Sequence, residues 1–451
     1  MTVSVTARAL LYDKSAEIAL VGSVFRQDDK RGDVFVSDIL LPMVDYKEDY
    51  TRLVHELDEA EPGNYLLQLR LPNGKTKTTN FEISPDRDTQ IILDVPHEGP
   101  HEWTAFHAMT GQFQKEMNQI KGFDYTITDS PRLYSELRIT PQTGYSLSLL
   151  SQSDNANAAI SQDGLFLNNL SALISADLDV QTALARFGAG KDIDQPSWED
   201  NNLAMFRLSH SGVLPNRDSD DEYFYFGPGT DLDRHYLVQS SAQGATLICL
   251  PTPWMTHNGQ TEVELLVKKN PVDEQLDYSI TVADPLFNTV LGYINSGAIH
   301  QAAKLVNFQQ AERMLFEKMS SPFAASVGGY LLVLGLNRST YLSKANDWKN
   351  WVENLDHWFE WMPDGAILHA ALYFILGDGD RDDAYDALLR AYSRGLPFFT
   401  FGLKLMIDGM RYFANEGMAE AKEFLPQLES IVMQADPSQP FLCVDFSRKW
   451  Q

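Results

Sequence analysis

The sequence predicts an α+β chain of several domains, and three observations carry the prediction. Up to about residue 283, apolar and polar residues alternate over short segments punctuated by Pro, Gly and Asn, the period of half-buried strands. From Asp284 to Ala435 the apolar period lengthens to that of consecutive helices joined by very short turns. A chain of 451 residues also exceeds one ordinary core, so two or three domains are expected. The expected division is a β-sandwich over 1–96, an irregular β-rich middle domain over 97–283, and a C-terminal α-helical array over 284–451.

Within the first part, Pro62-Gly63-Asn64 forms a turn, after which Tyr65, Leu67, Leu69 and Leu71 share one face with Gln68 and Arg70 opposite. Pro72-Asn73-Gly74 turns the chain back, Phe81 and Ile83 continue the return strand, and a last strand from Thr89 ends before Pro96. The fragment PGNYLLQLRLPNGKTKTTNFEI resembles the prealbumin-like sandwiches appended to larger proteins as interaction modules. The resemblance implies a fold, not an activity.

The middle part is less regular. Glu102 to Ile120 carries Phe106, Met109, Phe113 and Met117 at helical spacing. Strands are expected at 137–140, 145–150, 203–208, 236–240, 246–250, 262–268 and 278–282. Polar stretches at 151–163, 188–202 and 215–221 separate them. Loops of this kind concentrate protease access, so Gly188, Lys191, Asp194, Arg217 and Asp220 are the candidate cleavage-prone positions.

The helical signals agree with one another. Ser321-Pro322 suits a helix start, and Gly377 and Gly395 follow apolar runs where a left-handed C-terminal residue is wanted. Asp380, Asp382 and Asp383 crowd the start of the next helix and Arg390 and Arg394 its end, as the helix dipole favours. Helices are expected at 285–295, 299–306, 308–319, 322–335, 347–361, 366–376, 382–394, 398–414 and 418–435. Hairpin starts near Phe308, Asp347 and Asp382 lie about 35 to 39 positions apart, close to the spacing of tetratricopeptide (TPR) helix pairs. After Pro440 the segment FLCVDF returns as a short strand.

A formal charge of −26 repels phosphate backbones, which argues against direct nucleic-acid binding; the plain reading of the charge is solubility, the sharper one a basic protein partner. No apolar run approaches the length of a membrane span, and the N-terminus lacks a signal-peptide layout. Cys249 and Cys443 both sit in apolar runs, the pattern of buried thiols in a reducing cytoplasm.

Local motifs give little chemistry. His97-Glu98-Gly99-Pro100-His101 satisfies HExxH as a string, yet that zinc site needs a helix, and Pro100 inside the turn costs about 3 kcal/mol. Asp378 to Asp383 lacks the Gly and Glu of a calcium loop and reads as helix capping. Gly188-Ala189-Gly190-Lys191 lacks the Walker spacing, and Asp192 would repel phosphate. No catalytic residue, metal site or cofactor is assigned.

The aromatic helix is more informative. At about 100° per residue, Trp348, Trp351, Val352, Leu355, Trp358, Phe359 and Met362 share a core-facing stripe. Trp361 falls on the other side near Asn354 and His357, with Asp364 in the following turn. These four residues are the candidate partner-binding positions, since interface hot spots favour Trp.

The stretch from Asp284 to Met410, with the core W-x6-W-F-x-W-x-P-D-G from Trp351 to Gly365, resembles the helical C-terminal part of bacterial proteins of caspase-like (including CHAT-type) protease systems, several of them antiviral. The resemblance implies a regulator, or a substrate whose cleavage releases an active fragment, with a caspase-like protease as partner. The expected role is thus a cytoplasmic, non-enzymatic interaction protein. The rival expectation is a metal-dependent hydrolase whose site in the middle domain uses His97 and His101.

Overall fold

The computed structural model describes residues 3–9, 19–28, 32–45, 55–56, 61–71, 76–84 and 89–94. It then describes the strands between 145 and 282 with residues 226–229, 251 and 254, and finally 285–306, 308–335, 348–437 and 439–445. The chain is mixed α+β, with an antiparallel sheet near the N-terminus and a helical C-terminal region. The described elements fall into two compact units.

The first unit holds β1 (Val3–Ala9), β2 (Ala19–Asp28), β3 (Gly32–Asp45), β4 (His55–Glu56), β5 (Gly63–Arg70), β6 (Thr76–Ile83) and β7 (Thr89–Asp94), with α1 (Pro285–Asn295) and α2 (Ile299–Leu305). Strand order is β4-β1-β3-β2-β5-β6, with β7 on β1. β2, β3, β5 and β6 pair antiparallel, whereas β1 pairs parallel with β7 and with the end of β3. Tyr65, Leu67, Leu69 and Leu71 are buried on the face that alternation predicts, packed with Leu20, Val24, Ile39, Leu41, Ile83, Ile91 and Leu93.

Helix α1 is tied to this sheet by hydrogen bonds to backbone groups. The buried Tyr293 hydroxyl donates to Arg70 O (3.1 Å) and accepts from Val21 N–H (3.3 Å). Arg70 Nη2 donates to Ser296 O at 2.7 Å. Asn288 clamps the backbone of Val282 at both its N–H and its C=O.

The second unit contains the remaining strands and helices. One sheet runs β18-β15-β14-β8-β9 and another β10-β11-β16-β17. They are built from β8 (Tyr145–Ser151), β9 (Lys191–Asp192), β10 (Trp198–Asp200), β11 (Leu203–Leu208), β14 (His235–Ser241), β15 (Ala245–Leu250), β16 (Val263–Lys269), β17 (Leu276–Val282) and β18 (Cys443–Asp445). A two-stranded ribbon joins β12 (Asn216–Arg217) to β13 (Phe224–Tyr225). The returning tail is the strand expected of FLCVDF. Leu442 N–H donates to Phe398 O, and Cys249 N–H donates to Leu442 O, both at 2.9 Å. Cys249 and Cys443 are buried free thiols. Cys443 stands opposite Ile248 across the ladder, the neighbour of Cys249.

The helices are α3 (Phe308–Phe316), α4 (Pro322–Gly335), α5 (Trp348–Trp358), α6 (Pro363–Phe374), α7 (Arg381–Arg394), α8 (Thr400–Asn415) and α9 (Ala419–Val432). α4 and α6 are buried nearly all round, as apolar residues on every face demand. A Cβ at Gly328 in α4 would stand 2.7 Å from Ala311 O of α3, so the α3–α4 crossing needs glycine there. Asp380 caps α7, accepting from Asp382 and Asp383 N–H, and Gly377 and Gly395 both adopt positive φ.

Two sequence expectations change. α6 starts at Pro363, not Ala366, because proline fits the first helical position and the Pro-Asp-Gly string opens a helix instead of a free turn. The polar stretches at 188–202 and 215–221 contain β9, β10 and β12, so they are not wholly loop. The expected helix at 102–120 and strand at 137–140 lie outside the described residues.

Candidate functional site

The Trp351–Gly365 segment and the helices around it hold a concentration of buried polar groups. Asp356 falls on the apolar stripe of α5, one turn after Val352 and just before Phe359, and is fully buried. Its Oδ2 accepts from His369 Nδ1 of α6 at 2.9 Å and from Arg390 Nη2 of α7 at 2.6 Å. Its Oδ1 lies 2.8 Å from Arg394 Nη1 of α7. Arg394 also donates to Met362 O at 3.3 Å. One carboxylate thereby links three helices.

Burial alone would push the Asp356 carboxyl up. The hydrogen bonds from His369 and Arg390 and the charges of Arg394 and Arg390 outweigh it and hold the group well below the usual carboxylate range. Burial pulls Arg394 down, an effect its Asp356 contact opposes. His369 Nε2 faces Asp383 Oδ2 at 3.2 Å, so both ring nitrogens are occupied by carboxylates and neither is left for a reacting group. The arrangement positions helices.

The rest of the motif is built the same way. Asp364, in the first turn of α6 and fully buried, accepts from Tyr330 OH of α4 at 2.5 Å and from Phe398 N–H at 2.8 Å. Burial, and then the charge and hydrogen bond of Asp364, raise the Tyr330 hydroxyl well above its ordinary pKa. A Cβ at Gly365 would stand 2.8 Å from Leu355 O, which explains glycine after Pro-Asp. Trp361 is 8% exposed and meets Phe323, Phe359 and Phe398 edge to face. Lys318, in the turn after α3, is buried with its ammonium 5.0 Å from the Trp358 ring centroid, and burial lowers its pKa.

Of the residues the sequence singled out for partner binding, Trp361 and Asp364 are therefore core residues. An anchor must present its ring to the partner, and the Trp361 ring is already enclosed by aromatic neighbours. Asn354 is half-buried and His357 is exposed. The His357 ring lies 5.8 Å from that of His369, with Nδ1 2.8 Å from Glu353 O. Lys191 pairs with Leu149 in β9 and Arg217 with Phe224 in β12. Gly188, Asp194 and Asp220 lie outside the described residues, as do His97 and His101. Among the described residues no group of three His, Cys, Asp or Glu is placed to hold a metal ion, and no helix is long and apolar enough to cross a membrane.

A second polar cluster sits in the first unit. Ser23 Oγ donates to Asp38 Oδ1 at 2.7 Å, and Asp38 Oδ2 meets His300 Nε2 of α2 at 2.5 Å. The carboxylate stands between hydroxyl and imidazole, so His300 cannot take the Ser23 proton as the base of a Ser-His-Asp triad would. The cluster joins α2 to β2 and β3.

Sequence reasoning found the motif but missed its centre. The signal was present: a carboxylate on the apolar stripe of an amphipathic helix, which burial makes costly unless it is paired. Arg390 and Arg394 were read as dipole partners at the end of α7, a role that leaves their inward reach unexplained.

Comparison with known proteins adds the following. The family model of the Y4kD C-terminal domain matches residues 289–444. A protein described as a probable protease from a Desulfuromonadales bacterium is 23% identical over 393 residues, covering 79% of this chain and 44% of that protein. The chain thus spans less than half the length of this relative. Among solved structures, a 9R-lipoxygenase from Cyanothece aligns at 10% identity over 90% of this chain and 66% of its own, with a TM-score of 0.13.

Proposed function

We propose that this chain is a non-enzymatic interaction protein of a protease-linked bacterial system, acting as a regulator or as a proteolytic substrate. The observation that carries the reading is the Asp356 network. Asp356, within the most recognisable segment of the chain, joins His369, Arg390 and Arg394 of the helices that follow in holding α5, α6 and α7 together. Stacked helices so fixed present an extended surface without a reactive centre. We read α3–α9 as hairpins of the TPR kind and β1–β7 as the sandwich that the sequence pattern suggested. The similarity to a protein described as a probable protease supports the link to proteolysis. The net charge of −26, with Glu360 exposed just after α5 and Asp386 exposed on α7, suits a basic factor or the basic surface of a caspase-like protease.

The test is affinity purification of the tagged chain from its native host, followed by mass spectrometry and zinc analysis. A peptidase or basic protein enriched by the wild type and lost from Glu360→Lys/Asp386→Lys is the expected result. Stoichiometric zinc together with peptidase activity in the isolated chain would favour the metal-dependent hydrolase built on His97 and His101.

A further inference from the structure

The two outer strands of the antiparallel β3-β2-β5-β6 ladder differ in a way that points to a second partner. β2 pairs with β3 from Ala19↔Pro42 to Asp28↔Gly32. On its other side β3 is paired only at Met43, Val44 and Asp45, with β1. Among the described residues, no strand pairs with the remaining edge of 32–41. That edge reads Asp33-Val34-Phe35-Val36, with Val34 43%, Phe35 54% and Val36 45% exposed. Consecutive residues point to opposite faces of a strand, so both faces of this segment meet solvent. The register shifts between Val24 and Phe25, and Phe35 meets Phe25 edge to face, at 5.8 Å.

The opposite edge is defended. β6 reads Thr-Lys-Thr-Thr-Asn-Phe-Glu-Ile, and charged and polar side chains are the usual guard against edge-to-edge pairing. An edge of Val-Phe-Val without such a guard is suited to receive a strand.

We propose that the β3 edge is a strand-addition site for an extended segment of another protein whose apolar side chains alternate with Lys or Arg. Among the described residues no strand takes up the N–H and C=O groups of this edge, which suit an added strand, and Val34, Phe35 and Val36 supply contacts for its apolar side chains. Charge selects the partner. Asp33 flanks the apolar triplet, Arg26 opposite Val34 is already ion-paired with Glu61, and each copy of the chain carries −26, so pairing with a second copy sets like charge against like, whereas a basic strand is attracted. The site belongs to the first unit and does not rest on docking by the helices.

The test uses the full chain and a labelled peptide of about ten residues that alternates Val or Phe with Lys. A peptide of the same composition with Pro at its centre serves as control, with fluorescence anisotropy as readout. Wild type is expected to bind the first peptide and not the second. Val34→Lys/Val36→Lys and the charge-neutral Phe35→Ser are each expected to weaken binding by about tenfold or more, at an unchanged melting temperature. Equal binding of the two peptides, or equal binding by wild type and both variants, would reduce the attraction to bulk charge and overturn the proposal. A wild-type dimer in sedimentation that Val34→Lys/Val36→Lys dissociates would also overturn it, by assigning the edge to a second copy.

Discussion

The N-terminal unit and the helical region face the same problem, tying together elements distant in sequence, and solve it with different chemistry. In the first, Tyr293, Asn288 and Arg70 reach backbone groups through mostly neutral hydrogen bonds. In the second, Asp356 sits fully buried among His369, Arg390 and Arg394. Neutral bonds are individually modest and fail gradually, whereas a buried ion group is costly to assemble and costlier still to break in part. The helical region should therefore depend far more sharply on single residues and on pH.

The largest effect is expected from Asp356→Ala, which leaves the mostly buried Arg394 and the half-buried Arg390 without their shared carboxylate. It should remove about 3–5 kcal/mol from the helical transition in urea unfolding, and a loss below about 1 kcal/mol would show that water already reaches the site. Gly365→Ala comes next, because the added methyl must push against the Leu355 carbonyl at 2.8 Å. A cost of about 1–3 kcal/mol in the same transition is expected. Tyr293→Phe should cost only about 0.5–1.5 kcal/mol, read in the N-terminal transition, since one hydroxyl and its two bonds are lost.

The pH response sharpens the contrast. Asp356 is depressed in the folded chain, so its contribution is fully present above the ordinary value of 3.8 and is lost as pH falls below it toward the folded value. Tyr293 is pushed up to about 12 by burial. Its contribution is present below the ordinary 10.0 and is lost as pH rises through the folded value. Alkali does not discriminate between the regions, because burial also raises Tyr330 and Tyr385 in the helices. Acid does. Calorimetric scans from pH 6 toward pH 3 should lower the helical transition more in wild type than in Asp356→Asn; parallel curves would remove Asp356 from the acid response.

What the sequence revealed, and what it hid, follows from the same contrast. Apolar periodicity and caps placed the helices to within a few residues, because Ser321, Pro322, Asp380, Gly377 and Gly395 act on the backbone beside them. The alternation Tyr65, Leu67, Leu69, Leu71 placed the buried face of β5 for the same reason. Long-range partners were hidden. That α1 and α2 belong with the N-terminal strands depends on Tyr293 and Arg70 meeting backbone groups whose position no local pattern encodes. Trp361 read as outward because it follows the end of α5, where helical projection no longer applies. Its true surroundings come from α4 and from Phe398. Asp356, His369, Arg390 and Arg394 lie on three helices, so their meeting is a tertiary fact. Only the oddity of a carboxylate on an apolar stripe announced it.

The account holds that these four side chains fix the helices and take no part in a reaction. The most direct test replaces them together by apolar residues of similar bulk, as Asp356→Leu, His369→Leu, Arg390→Leu and Arg394→Met, and measures urea unfolding alongside affinity capture from the native host. Removing a buried ion group whole is commonly neutral or stabilising by about 1–4 kcal/mol. The account predicts that this variant regains the stability lost in Asp356→Ala and still captures what the wild type captures. A variant that folds with wild-type stability and yet loses that capture would contradict it.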